Sequence, residues 1–209
     1  MNILVTGAAG AIGSHLVEAL LKAGHNVRGL DAFTPYYSRQ LKEISVADII
    51  AAGAQFYVVD LSKDDLAQYV DGADVVCHFA AQPGISAATP FDDYLNNNIV
   101  ATQRLLEAVK KAGSVKLFVH ASTSSVYGKY AAGDETVEPK PTSNYGVTKL
   151  AAEQLALAYH RDQGLPVVVL RLFSVYGERE RPEKLYHKFI RSVLNKKPFT
   201  LYEGSEKHI

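Results

Sequence analysis

Residues 3–24, ILVTGAAGAIGSHLVEALLKAG, place a short apolar run, a turn with three glycines and an amphipathic stretch in direct succession. The apolar run at residues 3–6 predicts a buried β-strand. Residues 12–22 repeat apolar side chains at helical spacing, and Gly24 follows them where a helix-ending glycine is expected. This order of strand, glycine turn and helix predicts the first unit of a parallel α/β sheet.

The same alternation of short apolar runs and helical stretches continues along the chain. Further strands are predicted at residues 26–30, 55–59, 73–79, 115–121 and 167–173, and long helices at residues 98–112 and 145–163. Residues 32–52 mix aromatic and polar side chains and are interpreted as a loop that leads into a helix. Most strand runs are continuously apolar, which is typical of strands buried on both faces. The predicted fold class is therefore α/β, with a doubly wound parallel sheet.

The three glycines of the first turn have the spacing G-x-x-G-x-x-G. In a dinucleotide site the first glycine permits the tight turn, the second lets the backbone approach a pyrophosphate, and the third allows close helix–strand packing. The helix N-terminus also attracts phosphate charge. A plain strand–helix turn is the alternative interpretation. The predicted cofactor-binding residues of this turn are Gly7, Gly10, Ala11, Ile12 and Gly13.

Acidic residues end the second and third predicted strands. Asp31 stands where a carboxylate can accept both ribose hydroxyls and repel a 2′-phosphate, which favours NAD over NADP. Its alternative role is that of a turn aspartate at a strand end. Asp60 and Leu61 are predicted to flank the adenine, although Asp-Leu-Ser is also a good start for a helix.

Tyr145 and Lys149 stand four residues apart in YGVTK, within a predicted helix. Residues at this spacing share one helix face, so the ammonium lies near the phenol. A nearby cation lowers the pKa of a tyrosine and makes it usable as a base near neutral pH. Lys149 can also hold a ribose hydroxyl. The alternative is a pair of side chains on an exposed helix surface.

Hydroxyl side chains follow the fifth predicted strand in ASTSSVYG, residues 121–128. At the carboxyl edge of a parallel sheet such hydroxyls are well placed to contact a ligand. A Ser/Thr cluster after a strand otherwise forms a simple turn. The glycine turn, the strand-end hydroxyls and the Tyr/Lys helix, in this order, are more specific than any one of them alone.

The composition argues against several classes of protein. Lys and Arg together number 22, as do Asp and Glu, so no basic excess points to nucleic acid as a partner. The single cysteine, Cys77, excludes an internal disulfide and favours a cytoplasmic location. No apolar run approaches the ~20 residues of a membrane span, and the N-terminus does not resemble a signal peptide. No metal site is expected, and 209 residues suit one sizeable domain.

Five stretches together resemble the extended short-chain dehydrogenase/reductase family, and within it the nucleotide-sugar epimerases and dehydratases. They are TGAAGAIGSHL, HFAAQPG, ASTSSVYG, YGVTKLAAE and LRLFSVYG. The resemblance implies an NAD-binding Rossmann domain over residues 1–175 and the start of a substrate-binding region over residues 176–209. Because members of the family are longer, the resemblance also implies a chain that is truncated at its C-terminus.

The resemblance implies a role for each matching residue. Tyr145 would be the catalytic base, assisted by Lys149, and Thr123 would bridge the sugar 4-hydroxyl and the tyrosine. Ala80, Ala81 and Asn98 would line the cofactor cleft. In such an enzyme the tyrosine takes the C4 hydroxyl proton while hydride passes to NAD. The 4-keto sugar then rotates in the site and takes the hydride back on its other face.

The positions next to Thr123 separate the classes within the family. Dehydratases and decarboxylases carry carboxyl side chains there, whereas this chain has Ser124 and Ser125. Simple epimerisation is therefore the favoured interpretation, and Ser124 is a predicted substrate contact. Dehydration and decarboxylation remain the alternatives.

Residues 170–183, LRLFSVYGERERPE, most resemble UDP-glucuronate 4-epimerases. By that resemblance Ser174 and Arg181 would meet the sugar carboxylate, which a guanidinium can hold by two parallel hydrogen bonds. The alternative is that Arg179 and Arg181 form a solvated charge cluster with neighbouring glutamates. Ser86 departs from the subgroup, which often has arginine at that position.

The favoured hypothesis is an NAD-dependent 4-epimerase acting on a UDP-hexose or UDP-hexuronate. A second hypothesis, of a different class, is an NAD-binding fragment without turnover because the substrate domain is absent. The resemblance also implies a homodimer formed through the two long helices predicted at residues 98–112 and 145–163.

Overall fold

The computed structural model describes residues 1–86 and 88–199, and these residues contain a parallel sheet of six strands. The strands are β1 (Asn2–Thr6), β2 (Asn26–Asp31), β3 (Gln55–Val58), β4 (Val75–His78), β5 (Leu117–Thr123) and β6 (Val167–Leu172). The α-helices are α1 (Ala11–Lys22), α2 (Arg39–Ala51), α3 (Ala67–Val70), α4 (Phe91–Tyr94), α5 (Ala101–Ala112), α6 (Asn144–Gln163) and α7 (Leu185–Leu194). A π-helical segment, Leu95–Val100, joins α4 to α5, and a 3-10 turn, Ser124–Tyr127, follows β5.

The strand order is β3-β2-β1-β4-β5-β6, and all neighbouring strands are parallel. The chain thus builds outward from β1 in one direction and then returns to build outward in the other. The predicted doubly wound α/β sheet is confirmed. Its direction reverses between β1 and β4, and in such sheets ligands bind at the carboxyl ends of the strands beside this reversal.

Successive side chains of β1 point to opposite faces of the sheet, and both faces are covered. Ile3 and Val5 pack in a cluster with residues of α1 and α2, whereas Leu4 packs with residues of α3, α5 and α6. Alternation along a strand places every second side chain on the same face. Because helices cover both faces, a central strand needs apolar residues at consecutive positions, as the sequence has them.

The edge strands do not follow this rule. Val58 of β3 is exposed, and in β6 Val168 and Leu170 are 45% and 37% exposed. Their sequences are as apolar as that of β1. The composition of a strand therefore does not show whether it lies at the centre or at the edge of the sheet. Burial on both faces therefore describes the centre of the sheet and not its edges.

Of two predicted helical regions, one agrees with the structure and the other begins earlier than predicted. The segment that follows β2 is a loop leading into α2 at Arg39, as predicted. The helix predicted over residues 98–112 is already helical at Phe91 and passes through the π-helical segment before α5 begins. A π-helical turn accommodates an extra residue, and such turns are frequent at functional sites. Here it contains Asn98, whose side chain is buried.

The chain divides into two compact units, Met1–Ser174 and a second unit that begins at Val175. The first contains the whole sheet. In the second, α7 has exposed apolar side chains that include Phe189, Ile190 and Val193. Among the described residues no helix combines the length and apolar character needed to cross a membrane.

Candidate active site

The glycine turn between β1 and α1 is built so tightly that side chains would not fit. Gly7 has a positive φ of 71°, and a Cβ there would lie 2.7 Å from the Ala80 nitrogen. A Cβ on Gly13 would lie 2.1 Å from the Gly7 carbonyl oxygen. A Cβ on Gly10 would meet only that oxygen, at 3.2 Å, among the described residues. The turn is thus closed on its inner side and open at Gly10.

The first turn of α1 offers backbone N–H groups to a ligand. Gly10 is the N-cap residue and has no side chain to cap the helix, and the first turn contains no acidic residue. The intrahelical bonds begin with the Ser14 nitrogen donating to the Gly10 carbonyl at 2.9 Å. The N–H groups of Ala11, Ile12 and Gly13 precede that bond and belong to the unpaired set of a helix start. Such a terminus suits an anionic phosphate.

Asp31 lies beside this turn at the end of β2. One carboxylate oxygen accepts a hydrogen bond from the Ala9 nitrogen at 3.3 Å, and the other accepts from the Phe33 nitrogen at 2.8 Å. The residue therefore shapes the strand-end turn and also places its charge against the glycine turn. Its role as a turn aspartate is therefore compatible with the predicted contact between its carboxylate and the ribose hydroxyls.

Asp60 and Leu61 follow β3 at the same edge of the sheet. The Asp60 carboxylate accepts from the Ser62 nitrogen at 2.9 Å and from its hydroxyl at 2.6 Å, and it pairs with the Lys63 ammonium at 3.0 Å. This segment forms a turn, and the next helix begins only at Ala67, so the helix-start alternative is wrong. The Leu61 side chain is buried in the core, so only its backbone faces the turn.

Ala80 and Ala81 follow β4, directly beside the glycine turn. The Ala80 nitrogen donates to the Thr6 hydroxyl at 3.2 Å, and this hydroxyl is 2.7 Å from His78 Nδ1. His78 Nε2 in turn lies 2.9 Å from the Thr102 hydroxyl on α5. This buried chain of contacts holds the segment after β4 in place.

Asn98 joins the segment after β4 to α6. Its amide oxygen accepts from the Gln82 nitrogen at 2.8 Å, and its amide nitrogen donates to the Thr148 hydroxyl at 3.0 Å. Thr148 lies directly before Lys149. The structure thus gives Asn98 a positioning function, and its contact with a cofactor stays a prediction.

Thr123 and Ser124 stand where β5 gives way to the 3-10 turn. The Thr123 hydroxyl oxygen accepts from the Ser125 nitrogen at 3.2 Å. A Cβ on Gly146 would lie 2.6 Å from the Ser125 carbonyl oxygen, so only glycine lets α6 approach the turn this closely. That approach brings the start of α6, with Tyr145, next to the end of β5. This role of Gly146 was not predicted from the sequence.

Lys149 is buried and only 3% exposed, so the interpretation of Tyr145 and Lys149 as an exposed surface pair is wrong. Burial lowers the pKa of Lys149 to about 8, and the nearby charge of Glu153 opposes this change. Tyr145 is half-buried and its ring lies 6.3 Å from that of Tyr94, whose hydroxyl donates to the Gly84 carbonyl at 2.8 Å. A phenol and a buried ammonium on one helix face are suited to proton transfer.

The two residues predicted to bind a sugar carboxylate belong to different units. Ser174 is exposed and ends the first unit. Arg181 belongs to the second, where it forms an ion pair with Glu183 at 2.9 Å. This pair agrees with the charge-cluster alternative, while the substrate contacts of both residues stay predictions.

Glu153 and Arg171, which were not predicted from the sequence, form a buried ion pair at 2.7 Å in the first unit. Both stand in the motif stretches YGVTKLAAE and LRLFSVYG. The position of Glu153, four residues after Lys149, was the available signal, because that spacing places the two on one helix face.

Comparisons with known proteins agree with this geometry. The model of the NAD dependent epimerase/dehydratase family matches residues 3–208. An uncharacterized UDP-glucose epimerase, YtcB, of Bacillus subtilis is 44% identical over 212 residues, covering 99% of this chain and 67% of the relative. UDP-glucuronate 4-epimerase 1 of Arabidopsis thaliana is 37% identical over 218 residues, covering 99% of this chain and 50% of the relative.

A similar solved structure is the UDP-glucuronic acid 4-epimerase of Bacillus cereus in complex with UDP-glucuronic acid and NAD. It superposes with a TM-score of 0.92 at 44% identity, covering 98% of this chain and 66% of that chain. The chain thus spans about half to two thirds of the length of these relatives.

Proposed function

Because the chain belongs to the NAD dependent epimerase/dehydratase family, we propose that it is an NAD-dependent UDP-sugar 4-epimerase. Its resemblance to that family is confirmed, and the similar proteins include UDP-glucuronate 4-epimerases, one of which is solved in complex with NAD. The observation that carries the proposal is the buried Lys149 on the same helix face as Tyr145, with α6 held against the hydroxyl-bearing turn after β5.

The residues at the carboxyl edge of the sheet fit NAD. The glycine turn excludes side chains on its inner side and is open at Gly10, as a pyrophosphate requires. The α1 N-terminus supplies N–H donors, and Asp31 supplies a carboxylate for the ribose hydroxyls. Asp60 and Leu61 would flank the adenine through their turn, and Ala80 and Ala81 would line the cleft. We assign this cofactor-binding domain to residues 1–175.

When bound, NAD supplies the hydride acceptor for oxidation at sugar C4. Tyr145, as phenolate, takes the proton of the C4 hydroxyl, and the Lys149 ammonium favours that phenolate. The Thr123 oxygen accepts from the Ser125 nitrogen, so the hydroxyl proton is directed to a second partner, the sugar oxygen or the tyrosine. Tyr145 then returns the proton to the C4 oxygen as the hydride returns to C4 on its other face. One turnover is thus completed without net oxidation of the sugar.

The turn after β5 favours epimerisation over elimination. Loss of water across C5 and C6 needs carboxyl groups to move protons at those carbons, and the turn instead has Ser124 and Ser125. Ser124 is partly exposed and suited to a hydrogen bond with the sugar. The proposed substrate is a UDP-hexose or UDP-hexuronate.

A second candidate function is NAD binding without turnover. The fact that favours it is the length of the relatives, of which this chain spans about half to two thirds. In this case the first unit binds the cofactor, and the epimerisation reaction needs further chain. For either function we propose a homodimer in which α5 and α6, which pack together, contribute the contact surface.

The test compares two measurements on the purified chain. Calorimetry with NAD and with NADP measures cofactor binding, and NMR of UDP-glucose and UDP-glucuronate mixtures follows the 4-epimers. Binding with epimerisation supports the first function, and binding alone supports the second. The Tyr145→Phe variant should still bind NAD while losing epimerisation. A chain that fails to bind NAD contradicts both.

A further inference from the structure

Glu153 is the most deeply buried carboxylate near the site, with 1% of its surface exposed. Its carboxylate accepts a hydrogen bond from the Ser122 hydroxyl at 2.7 Å. The Arg171 guanidinium donates to it from Nη2 at 2.7 Å and from Nε at 3.2 Å. Three partner contacts from two neighbouring strands therefore fix this carboxylate on α6.

Arg171 is itself held in place from its other side. Its Nη1 donates to the Tyr127 hydroxyl at 3.1 Å, and its guanidinium lies 5.0 Å above the centre of the Tyr127 ring. A second bond from Nη1 reaches the Glu135 carbonyl at 3.4 Å. These contacts fix the guanidinium of Arg171 and, through it, the orientation of the Glu153 carboxylate.

Lys149 lies one helical turn before Glu153, on the same face of α6. The titratable groups that interact electrostatically with its ammonium are Glu153 from its own helix, His78 from β4 and His120 from β5. Burial, with a smaller contribution from the Lys149 charge, lowers the pKa of His78 to about 3 and holds that of His120 well below its ordinary value. Both imidazoles are therefore neutral at neutral pH.

Among the described residues, the negative charge that acts on Lys149 is thus the carboxylate of Glu153. A buried ammonium without a counterion is costly and tends to lose its proton. The motif residues Tyr145 and Lys149 consequently depend on a third residue at the next helical turn.

We propose that Glu153 is a positioning residue whose fixed carboxylate keeps Lys149 charged on the face of α6 that also carries Tyr145. This inference rests on the proposed function, in which the charged Lys149 favours the Tyr145 phenolate. A purely structural role for the Glu153–Arg171 pair is the competing explanation, and it makes no demand on the charge of Lys149.

The experiment measures the protonation of Lys149 directly, by NMR of chain enriched in carbon-13 lysine, without substrate. The Lys149→Arg variant identifies the signal. In the Glu153→Gln variant the titration midpoint of Lys149 should fall by about one pH unit or more. The control is Glu107→Gln, which removes a half-buried carboxylate bonded to Tyr159 on the far part of α6. It should leave the midpoint unchanged.

Since Glu153→Gln leaves Arg171 without its partner and can prevent folding, the double variant Glu153→Gln/Arg171→Gln provides a second measurement. Its Lys149 midpoint should also fall, by less than in the single variant, because a repulsive charge is removed as well. An unchanged or raised midpoint in either folded variant overturns the proposal.

The Tyr145 phenolate, followed by its ultraviolet absorbance relative to Tyr145→Phe, should form at higher pH in the same variants. An unchanged phenolate midpoint contradicts the link to Tyr145. Neither measurement requires epimerase activity, so an inactive chain with the expected midpoints contradicts the proposed turnover and not the role of Glu153.

Discussion

Asn98 donates to the Thr148 hydroxyl at 3.0 Å across fifty positions of sequence, and so ties the π-helical segment to the helix that contains Tyr145 and Lys149. The same side chain also accepts from the Gln82 nitrogen. One buried amide therefore holds together two sides of the site, the segment after β4 and the start of α6.

The Asn98→Leu variant should lose about 2 kcal/mol or more of unfolding free energy, because it leaves the buried Gln82 nitrogen without its partner and removes the amide bonds to the Thr148 hydroxyl and the Gln82 carbonyl. Urea unfolding measures this loss. The matched control is Asn97→Leu, since the Asn97 amide bonds to the exposed Asp93 carbonyl and, among the described residues, to no other group. Equal losses in the two variants would show that the Asn98 contacts do not stabilise the site.

The Gly146→Ala variant should be destabilised although alanine is the better helix former by about 1 kcal/mol. The new Cβ would lie 2.6 Å from the Ser125 carbonyl oxygen and must push α6 away, which costs about 1–3 kcal/mol. The neighbouring exposed residue gives the control, Val147→Ala, with a change of about 0.5 kcal/mol or less. A Gly146→Ala chain more stable than the parent contradicts the close approach.

Lys149 should make stability depend on pH in a defined direction. Its pKa in the folded chain is about 8 against an ordinary 10.5, so the unfolded chain binds more protons between these values and stability rises with pH there. Burying the charge lowers the free energy of unfolding by about 3 kcal/mol near pH 7, and this destabilisation progressively disappears above pH 8.

This contribution is measured as a difference from the Lys149→Met variant, in which titrations of other groups cancel. The parent should gain about 2 kcal/mol relative to the variant between about pH 7 and pH 10. A difference that stays constant over this range would mean that Lys149 is not buried in its charged form.

Asp31 should determine the preference for NAD. The Asp31→Ser variant removes the carboxylate that accepts hydrogen bonds from the ribose hydroxyls in the proposed complex, so NAD affinity should fall about tenfold or more, and binding of NADP should improve relative to NAD. Calorimetry with both cofactors measures the ratio. The Asp48→Asn variant, on the exposed side of α2, should keep the parental ratio. If both variants bind the two cofactors as the parent does, Asp31 does not contact the ribose.

Much of the fold follows from short-range patterns. The strand at β1, the glycine turn and the helix α1 were predictable, since burial on both faces and a sharp turn each demand particular residue types at consecutive positions. The spacing of Tyr145 and Lys149 placed them on one helix face. The exposure of Val168 in β6 was not predictable, because it depends on which strands lie at the edge of the sheet.

The sequence by itself thus determined the order of strands and helices, the glycine turn and the residues that the family motifs carry. Only the tertiary structure decided that Lys149 is buried, that Asn98 bonds to Thr148 on α6, and that Glu153 pairs with Arg171 from β6. The physical reason is the separation along the chain of the residues that interact. A local pattern is set by neighbours along the chain, whereas the charge state and orientation of a buried side chain depend on partners brought near it by folding.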